Sequence, residues 1–280
     1  MKSSPLLLSS VLLLILSSCV SPETKTSPEQ VLIQRIDSLN KAGYNITDYH
    51  AHLKGGLTME QLVLHSAQTG IRYGVAVNGG LGFPVQNDSA LSNYYRNMKN
   101  QPVFLGLQGE GREWVGLFSA DSVALFDYVF TDAMTFTDAK GRRNRLWIKE
   151  EAFVDDPQEF MDYLVNQIET IFTNENVNIY VNPTFLPDTL KARYNELWTK
   201  DRMERVIAVL KKNNIALEIN SRLIIPSAEF IKIAKQSGIK FTLGTNNTNS
   251  DLGYLEYGLK MILECNLQPE DFWICNKRQP

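Results

Sequence analysis

Beyond about residue 45 the chain alternates between short apolar, β-branched runs and longer stretches in which apolar residues recur every three or four positions. The first pattern is that of buried strands and the second that of amphipathic helices, and their alternation predicts parallel strands joined by helical crossovers. Seven strands are predicted, at 45–49 (NITDY), 72–77 (RYGVAV), 102–107 (PVFLGL), 127–131 (DYVFT), 178–182 (NIYVN), 215–220 (IALEIN) and 240–245 (KFTLGT). Helices are predicted at about 58–69, 87–98, 119–125, 157–173, 200–213, 226–237 and 252–265. Thr58-Met59-Glu60-Gln61 is a capping-box pattern, Asp156 caps a helix opened by Pro157, and Gly70 and Gly238 mark helix ends. No composition break or short repeat divides this stretch. A single α/β domain is therefore expected over residues 31–280, a (β/α)7 barrel of distorted TIM-like form.

The first residues belong to a different pattern. Met1 and Lys2 lead into an apolar run over 5–16 and then Ser17-Ser18-Cys19, which predicts a signal peptide over 1–18. The run is too short for a comfortable membrane span. The "LSSC" stretch resembles the lipobox of bacterial lipoproteins, which implies an acylated Cys19, a bilayer as partner, and a place in the cell envelope on the periplasmic or outer-membrane side. Residues 19–30 then read as a lipidated, flexible tether, since VSPETKTSPEQ carries two Ser-Pro pairs and no apolar period. Removing 18 of 280 residues leaves 262, ample for a buried core.

A formal charge of −3 without basic blocks argues against nucleic acid as a partner. Cys265 and Cys275 are the pair left once Cys19 is acylated, and spacing alone leaves their bridging open. Neither belongs to a C-x-x-C pair, so thiolate zinc is not expected.

In such barrels chemistry gathers at the C-terminal strand ends. Those ends supply Asp48, His50, His52 and Lys54; Asn78; Gln108, Glu110, Arg112 and Glu113; Asp132; Asn182; Glu218, Asn220 and Arg222; and Asn246 and Asn247. His50 and His52 alternate along a strand and so share a face, which suits two imidazole ligands of one metal ion. His65 lies on a predicted helix and reads as structural. The insertion FTDAKGRRNRLWIKEEAFV, residues 136–154, is longer than a usual βα connection and points to function. Its basic tip at 140–145 reads as a solvated turn, and Trp114 and Trp147 as packing or as aromatic contacts for a ligand.

The stretch TDYHAHLKGGLTMEQLVLHSAQTGIRYGVAVN resembles the opening of the PHP family, the polymerase and histidinol phosphatase domains. LQGEGREW, DYVFTDAMTF, YVNPTFLP, ALEINSR and FTLGTNNTNSDLG are similar to its later strand motifs in order, over about residues 45–270. The resemblance implies a seven-stranded PHP-type barrel and a metal-dependent, phosphoesterase-like hydrolase acting on a small molecule. Several metal ligands of that family are replaced: Asn78, Asn182 and Asn246 stand where it has histidine or aspartate, and Asp132 or Met134 stands for the strand-four histidine. HAHLKGG also resembles the first strand of amidohydrolase barrels, but no histidine follows residue 65 to complete that set.

The expectation is thus one divalent ion, zinc or manganese, held by His50, His52 and Glu110, with Asp132 as a fourth ligand or as general base. Glu113 is the other candidate base, and Lys54, Arg112 and Arg222 are candidates to steady an anion. Asn78, Asn182, Glu218, Asn220, Asn246 and Asn247 are expected to contact substrate. Two alternatives stand beside this one: a non-catalytic envelope binding protein derived from a PHP enzyme, and a non-haem iron site built on the same two histidines and a carboxylate.

Overall fold

The structure, a computed structural model, describes residues 27–277. The expected signal peptide, Cys19 and most of the tether lie outside the described residues. In chain order the elements are α1 (Pro28–Lys41), β1 (Thr47–Ala51), α2 (Met59–Thr69), β2 (Arg72–Gly79), α3 (Asp88–Met98), β3 (Phe104–Gly109), α4 (Trp114–Leu117) and α5 (Ala120–Ala124). There follow β4 (Tyr128–Thr131), β5 (Thr135–Thr137), β6 (Arg143–Arg145), α6 (Pro157–Asn174), β7 (Ile179–Tyr180), α7 (Asp188–Lys191) and α8 (Tyr194–Leu197). The chain closes with α9 (Lys200–Lys212), β8 (Ala216–Asn220), α10 (Ala228–Gln236), β9 (Phe241–Gly244) and α11 (Glu256–Glu264).

Seven parallel strands close a barrel in the order β1-β2-β3-β4-β7-β8-β9, with Asp48 of β1 paired to Leu243 of β9. This is the expected seven-stranded arrangement, and each predicted strand overlaps an observed one. Two features were not expected. Helix α1 begins at Pro28, inside the stretch read as tether, under a capping box formed by Ser27 and Gln30. The insertion after β4 is a hairpin, β5 paired antiparallel to β6, rather than an open loop.

The lower half of the barrel is filled by aromatic rings. Tyr49, Phe104, Tyr128 and Phe130 pack there with Ile179, Val181 and Cys275, and Trp273 packs against them from below. Tyr128 fits because β2 and β3 carry glycine beside it: a Cβ on Gly74 would stand 2.2 Å from its hydroxyl oxygen, and one on Gly106 2.6 Å from its ring. A second apolar layer lies between the barrel and the helices, where Leu105, Leu107, Leu217 and Leu243 meet Leu62, Leu164, Val206, Phe230 and Leu259. Strand residues alternate between the barrel interior and the layer beneath the helices, so β3 and β8 are buried on both faces. Cys265 and Cys275 are buried and unbridged; their thiols lie near the carbonyls of Ala228 and Asp127. Among the described residues no helix is long and apolar enough to cross a membrane.

Candidate active site at the barrel mouth

Above the aromatic plug the barrel interior turns polar. Asp48, fully buried, accepts hydrogen bonds from His50 N at 2.9 Å and Thr245 N at 3.1 Å, and one from the Thr245 hydroxyl. The carboxylate thereby ties the end of β1 to the end of β9, and burial pushes its pKa up.

The two histidines of the first strand are oriented through their Nδ1 atoms. His52 Nδ1 lies 2.9 Å from the Ala76 carbonyl oxygen. A carbonyl only accepts, so Nδ1 carries the proton and Nε2 keeps its lone pair. Burial first, then the neighbouring His50 and Lys54, holds the His52 pKa well below its usual range, which favours the neutral ring. His50 Nδ1 lies 2.6 Å from Glu218 Oε1, and the other carboxylate oxygen accepts from Asn182 N at 2.6 Å and Asn220 Nδ2 at 3.0 Å. The two ring centroids are 5.2 Å apart. Nε2 of His50 and Nε2 of His52 are both buried without a hydrogen-bond partner. An orphaned imidazole nitrogen whose other nitrogen is fixed by a carboxylate or a carbonyl has the disposition of a metal ligand.

The carboxylates are placed differently. Glu110, just past β3, accepts from Asn78 Nδ2 at 2.5 Å, and the same amide reaches Gln108 Oε1 at 3.0 Å. Asp132, just past β4, accepts from Met134 N at 2.9 Å and from Asn182 Nδ2 at 3.1 Å. Asn182 Oδ1 in turn accepts from Asn220 Nδ2 at 3.0 Å and Asn246 Nδ2 at 2.9 Å. Burial first, then the neighbouring Asp132, pushes the Glu110 pKa up to about 8; burial likewise raises that of Asp132. Asparagine thus occupies the positions where the family resemblance expects metal ligands; the amides of Asn78 and Asn182 engage the carboxylates, and that of Asn246 engages Asn182.

Among the described residues no group of three or more histidine, cysteine or acidic side chains is placed to hold a metal ion. The set expected from the sequence, His50, His52, Glu110 and Asp132, is therefore not assembled as a coordination sphere, nor is the iron-type triad. The two imidazoles fit a divalent ion by the chemistry of their free nitrogens; among the described residues no third histidine, cysteine or acidic side chain stands in position with them.

A cavity of about 470 Å³ opens above these groups. Asn78, Gln108, Glu110, Asp132, Asn182 and Asn246 line its polar side, and Lys54 and Arg222 stand with them. Phe83, Met134, Leu146, Trp147, Phe185 and Leu223 supply the apolar side. Arg222 donates from Nε to the Asn246 carbonyl at 2.6 Å, and burial lowers the pKa of Lys54 and of Arg222.

Several residues expected at the site lie outside the cavity lining, the buried His50 and His52 among them. Arg112 pairs with Glu175 at 2.9 Å and donates to Thr131 Oγ1 and the Asp132 carbonyl, each at 2.9 Å, so its guanidinium braces β4 rather than facing the cavity. Glu113 pairs with Arg143, which depresses its pKa to about 2, too low for a base at neutral pH. Glu218 and Asn220 are fully buried and hold His50 and Asn182. Asn247 brackets the backbone of His52, accepting from its N at 2.7 Å and donating to its O at 2.9 Å. Lys149, Phe83, Phe185 and Lys191 line the cavity without having been singled out. Lys149 lies in the long insertion, the one signal that could have found it; Phe83 and Phe185 sit on βα loops whose course no periodicity records, and Lys191 ends the short α7. His65 donates or accepts at Tyr73 OH, 2.8 Å away, remote from the cavity lining.

No protein-family model matches the chain, and no curated protein matches it. Solved structures do. Histidinol phosphate phosphatase from Lactococcus lactis subsp. lactis Il1403, complexed with zinc, L-histidinol and phosphate, superposes with a TM-score of 0.54. The match covers 79% of this chain and 94% of that one, at 14% identity. The seven-stranded barrel is of the expected PHP type in its fold. At this identity the likeness is one of fold, and the PHP-type barrel here carries its own set of mouth residues.

Proposed function

We propose that the protein is a phosphoesterase-like hydrolase of small anionic molecules, working with a reduced, single-ion metal site at the mouth of its PHP-type barrel. The observation that carries this reading is the pair of buried imidazole Nε2 atoms without partners, each fixed through Nδ1 by Glu218 or the Ala76 carbonyl. The phosphatase neighbour, crystallised with zinc and phosphate, supports the same choice of chemistry.

His50 and His52 would hold the ion, zinc or manganese, and Glu110 or Asp132 would complete its shell on leaving its asparagine partner. A bound divalent ion lowers the pKa of water and polarises a phosphoryl oxygen. Asp132, where it is not a ligand, takes the proton of the attacking water. Lys54 and Arg222 bind the anionic group, and Asn78, Asn182 and Asn246 donate to its remaining oxygens. The N-terminal pattern ending in Cys19 supports an envelope protein anchored by lipid.

Equilibrium dialysis against zinc or manganese tests the reading. About one equivalent is expected, as for a mononuclear site, and His50→Ala with His52→Ala should abolish it. A chain that retains neither metal, and hydrolyses no phosphate ester in their presence, defeats it.

A second reading rests on a separate observation: Glu110 and Asp132, the carboxylates on the polar side of the cavity, are already engaged by asparagine amides. That arrangement suits a receptor that binds a polar small molecule without turning it over. Ligand binding without metal uptake or hydrolysis would favour it.

A further inference from the structure

The loops at the barrel mouth hold large apolar side chains out in water. Leu53 follows β1, Leu81 follows β2, Trp147 follows the hairpin after β4, and Ile224 follows β8; all four are exposed, Leu81 by 50% and Ile224 by 64%. They border one opening. Trp147 lines the cavity itself, and so do Lys54, Phe83, Arg222 and Leu223, each one or two positions from one of the other three. A single exposed leucine needs no explanation, but several around one mouth make a face.

Ile224 is held there against its own conformational preference. Its φ is 57°, a left-handed value that a β-branched residue adopts only where its surroundings impose it. Here they do. Asn220 N donates to the Ile225 carbonyl at 2.8 Å, Ile225 N to the Asn220 carbonyl at 3.2 Å, and Leu223 N to Oδ1 of the fully buried Asn220 at 2.9 Å, which closes a turn with Ile224 near its tip. Strain kept for an apolar group left in solvent points to a contact made outside the fold.

The charge of the same face selects the partner. Lys54, Lys149, Lys191 and Arg222 line the cavity; Lys191 is paired with Asp188 at 2.6 Å, whereas the other three have no ion pair among the described residues. The carboxylates of the floor, Glu110 and Asp132, are buried. Apolar tips beside unpaired cations suit apolar chains under anionic headgroups. The chain also enters the fold from this side. Asn40, near the end of α1, donates to the Gly70 carbonyl just before β2 begins, whereas Pro28 and Val31, at the start of α1, share a groove with Leu252 and Gly253 after β9. Strand starts lie at the base of the barrel and strand ends at the mouth, so Ser27 stands toward the mouth. Cys19 is eight residues further back, a reach of at most about 29 Å.

We propose that the mouth face, with Leu53, Leu81, Trp147 and Ile224 as its apolar tips, docks on an anionic lipid bilayer, so that the cavity opens at the level of the headgroups. The argument from Cys19 rests on the envelope reading above; the tips and the cations stand without it.

Tryptophan fluorescence of the full chain on vesicles with brominated acyl chains tests the assignment, with phosphatidylglycerol mixed into phosphatidylcholine or with phosphatidylcholine alone. Trp114 and Trp198 are buried and Trp273 packs at the base of the barrel, so quenching should come from Trp147. The docked-to-undocked ratio should be roughly fivefold or more higher on the anionic vesicles, the worth of about one cation near such a surface. Quenching should vanish in Trp147→Phe. Leu81→Ser with Ile224→Ser should lower the same ratio roughly tenfold or more, the order set by burying one such side chain. Thermal melts by circular dichroism verify that these variants fold. Protein that stays off the vesicles, or sediments with them without quenching, overturns the proposal, as does quenching that survives Trp147→Phe or is indifferent to anionic lipid. A dimer in lipid-free solution that the double substitution separates assigns the face to a second copy and overturns it too. Quenching in a chain whose Cys19 carries no acyl group by mass spectrometry supports the face and removes the anchor, so the two failures are distinct.

Discussion

His50 Nδ1 and Glu218 Oε1 stand 2.6 Å apart although their strands, β1 and β8, are not neighbours. Strand β9 lies between them, and the pair meets because residue 244 of that strand is glycine. The contact fixes the one imidazole that a carboxylate orients, and it closes the barrel interior beneath the cavity with both side chains about 1% exposed.

Gly244→Ala should be strongly destabilising. A Cβ there would stand 2.0 Å from Glu218 Oε1 and 2.9 Å from His50 Cβ, and neither neighbour has room to retreat in a buried site. Urea denaturation should record a loss of about 2 kcal/mol or more, the upper part of the range for overpacking.

Glu218→Ala removes the acceptor of His50 Nδ1, Asn182 N and Asn220 Nδ2 together. Leaving buried donors unsatisfied costs about 1–3 kcal/mol each, so a total loss of roughly 3 kcal/mol or more is expected by the same denaturation. Glu218→Gln keeps one acceptor and should cost less. If His50 holds a metal, the amide variant should also weaken that affinity by roughly 10–100-fold, the effect of losing a ligand's orienting partner.

Glu113 and Arg143 tie the turn after β3 to the hairpin. Hydrogen bonding to Arg143 lowers the Glu113 pKa from its ordinary 4.5 to about 2. A depressed folded-state pKa gives stability that is present above pH 4.5 and lost as pH falls through 2. Both groups are more than a third exposed, so solvent screening limits the pair to under about 1 kcal/mol. Glu113→Gln should therefore cost a few tenths of a kcal/mol at pH 7 and less near pH 2, read from guanidinium midpoints at the two pH values. A large loss of phosphatase turnover in this variant would instead return Glu113 to the chemistry.

Cys265 and Cys275 should titrate as thiols only after unfolding. Both are buried and unbridged. Ellman's reagent should react slowly with native protein and with both in denaturant, and a reductant should leave the melting temperature unchanged. A reductant-dependent melting temperature would contradict the unbridged pair.

The strands and most helices were legible because burial imposes a period on the chain. In IALEIN and KFTLGT the alternate residues Ile215, Leu217 and Ile219, and Phe241 and Leu243, are apolar since that face packs on helices, while Glu218, Asn220 and Thr242 of the other face enter the barrel. Helix α1 escaped notice although Leu32, Ile36 and Leu39 recur at helical spacing, because its sequence adjoins a Ser-Pro tract that reads as tether. The hairpin β5–β6 escaped because each strand is three residues long and one is charged at two of three positions. Arg112 and Glu113 were read as site groups because strand-end position alone cannot say where a long side chain turns; Glu175 and Arg143, 63 and 30 residues away, decided that.

Local sequence determined the alternation of strands and helices, the glycines that admit Tyr128 and the pairing of His50 with His52 on one face. Those follow from steric and hydrophobic rules that act over a few residues. Which carboxylates remain available to a cation was decided only when the barrel closed, since Asn78 meets Glu110, and Asn182 meets Asp132, across separations of 32 and 50 residues. Such buried polar groups must find partners wherever the fold brings them, and the partners come from strands that the chain reaches only after a crossover.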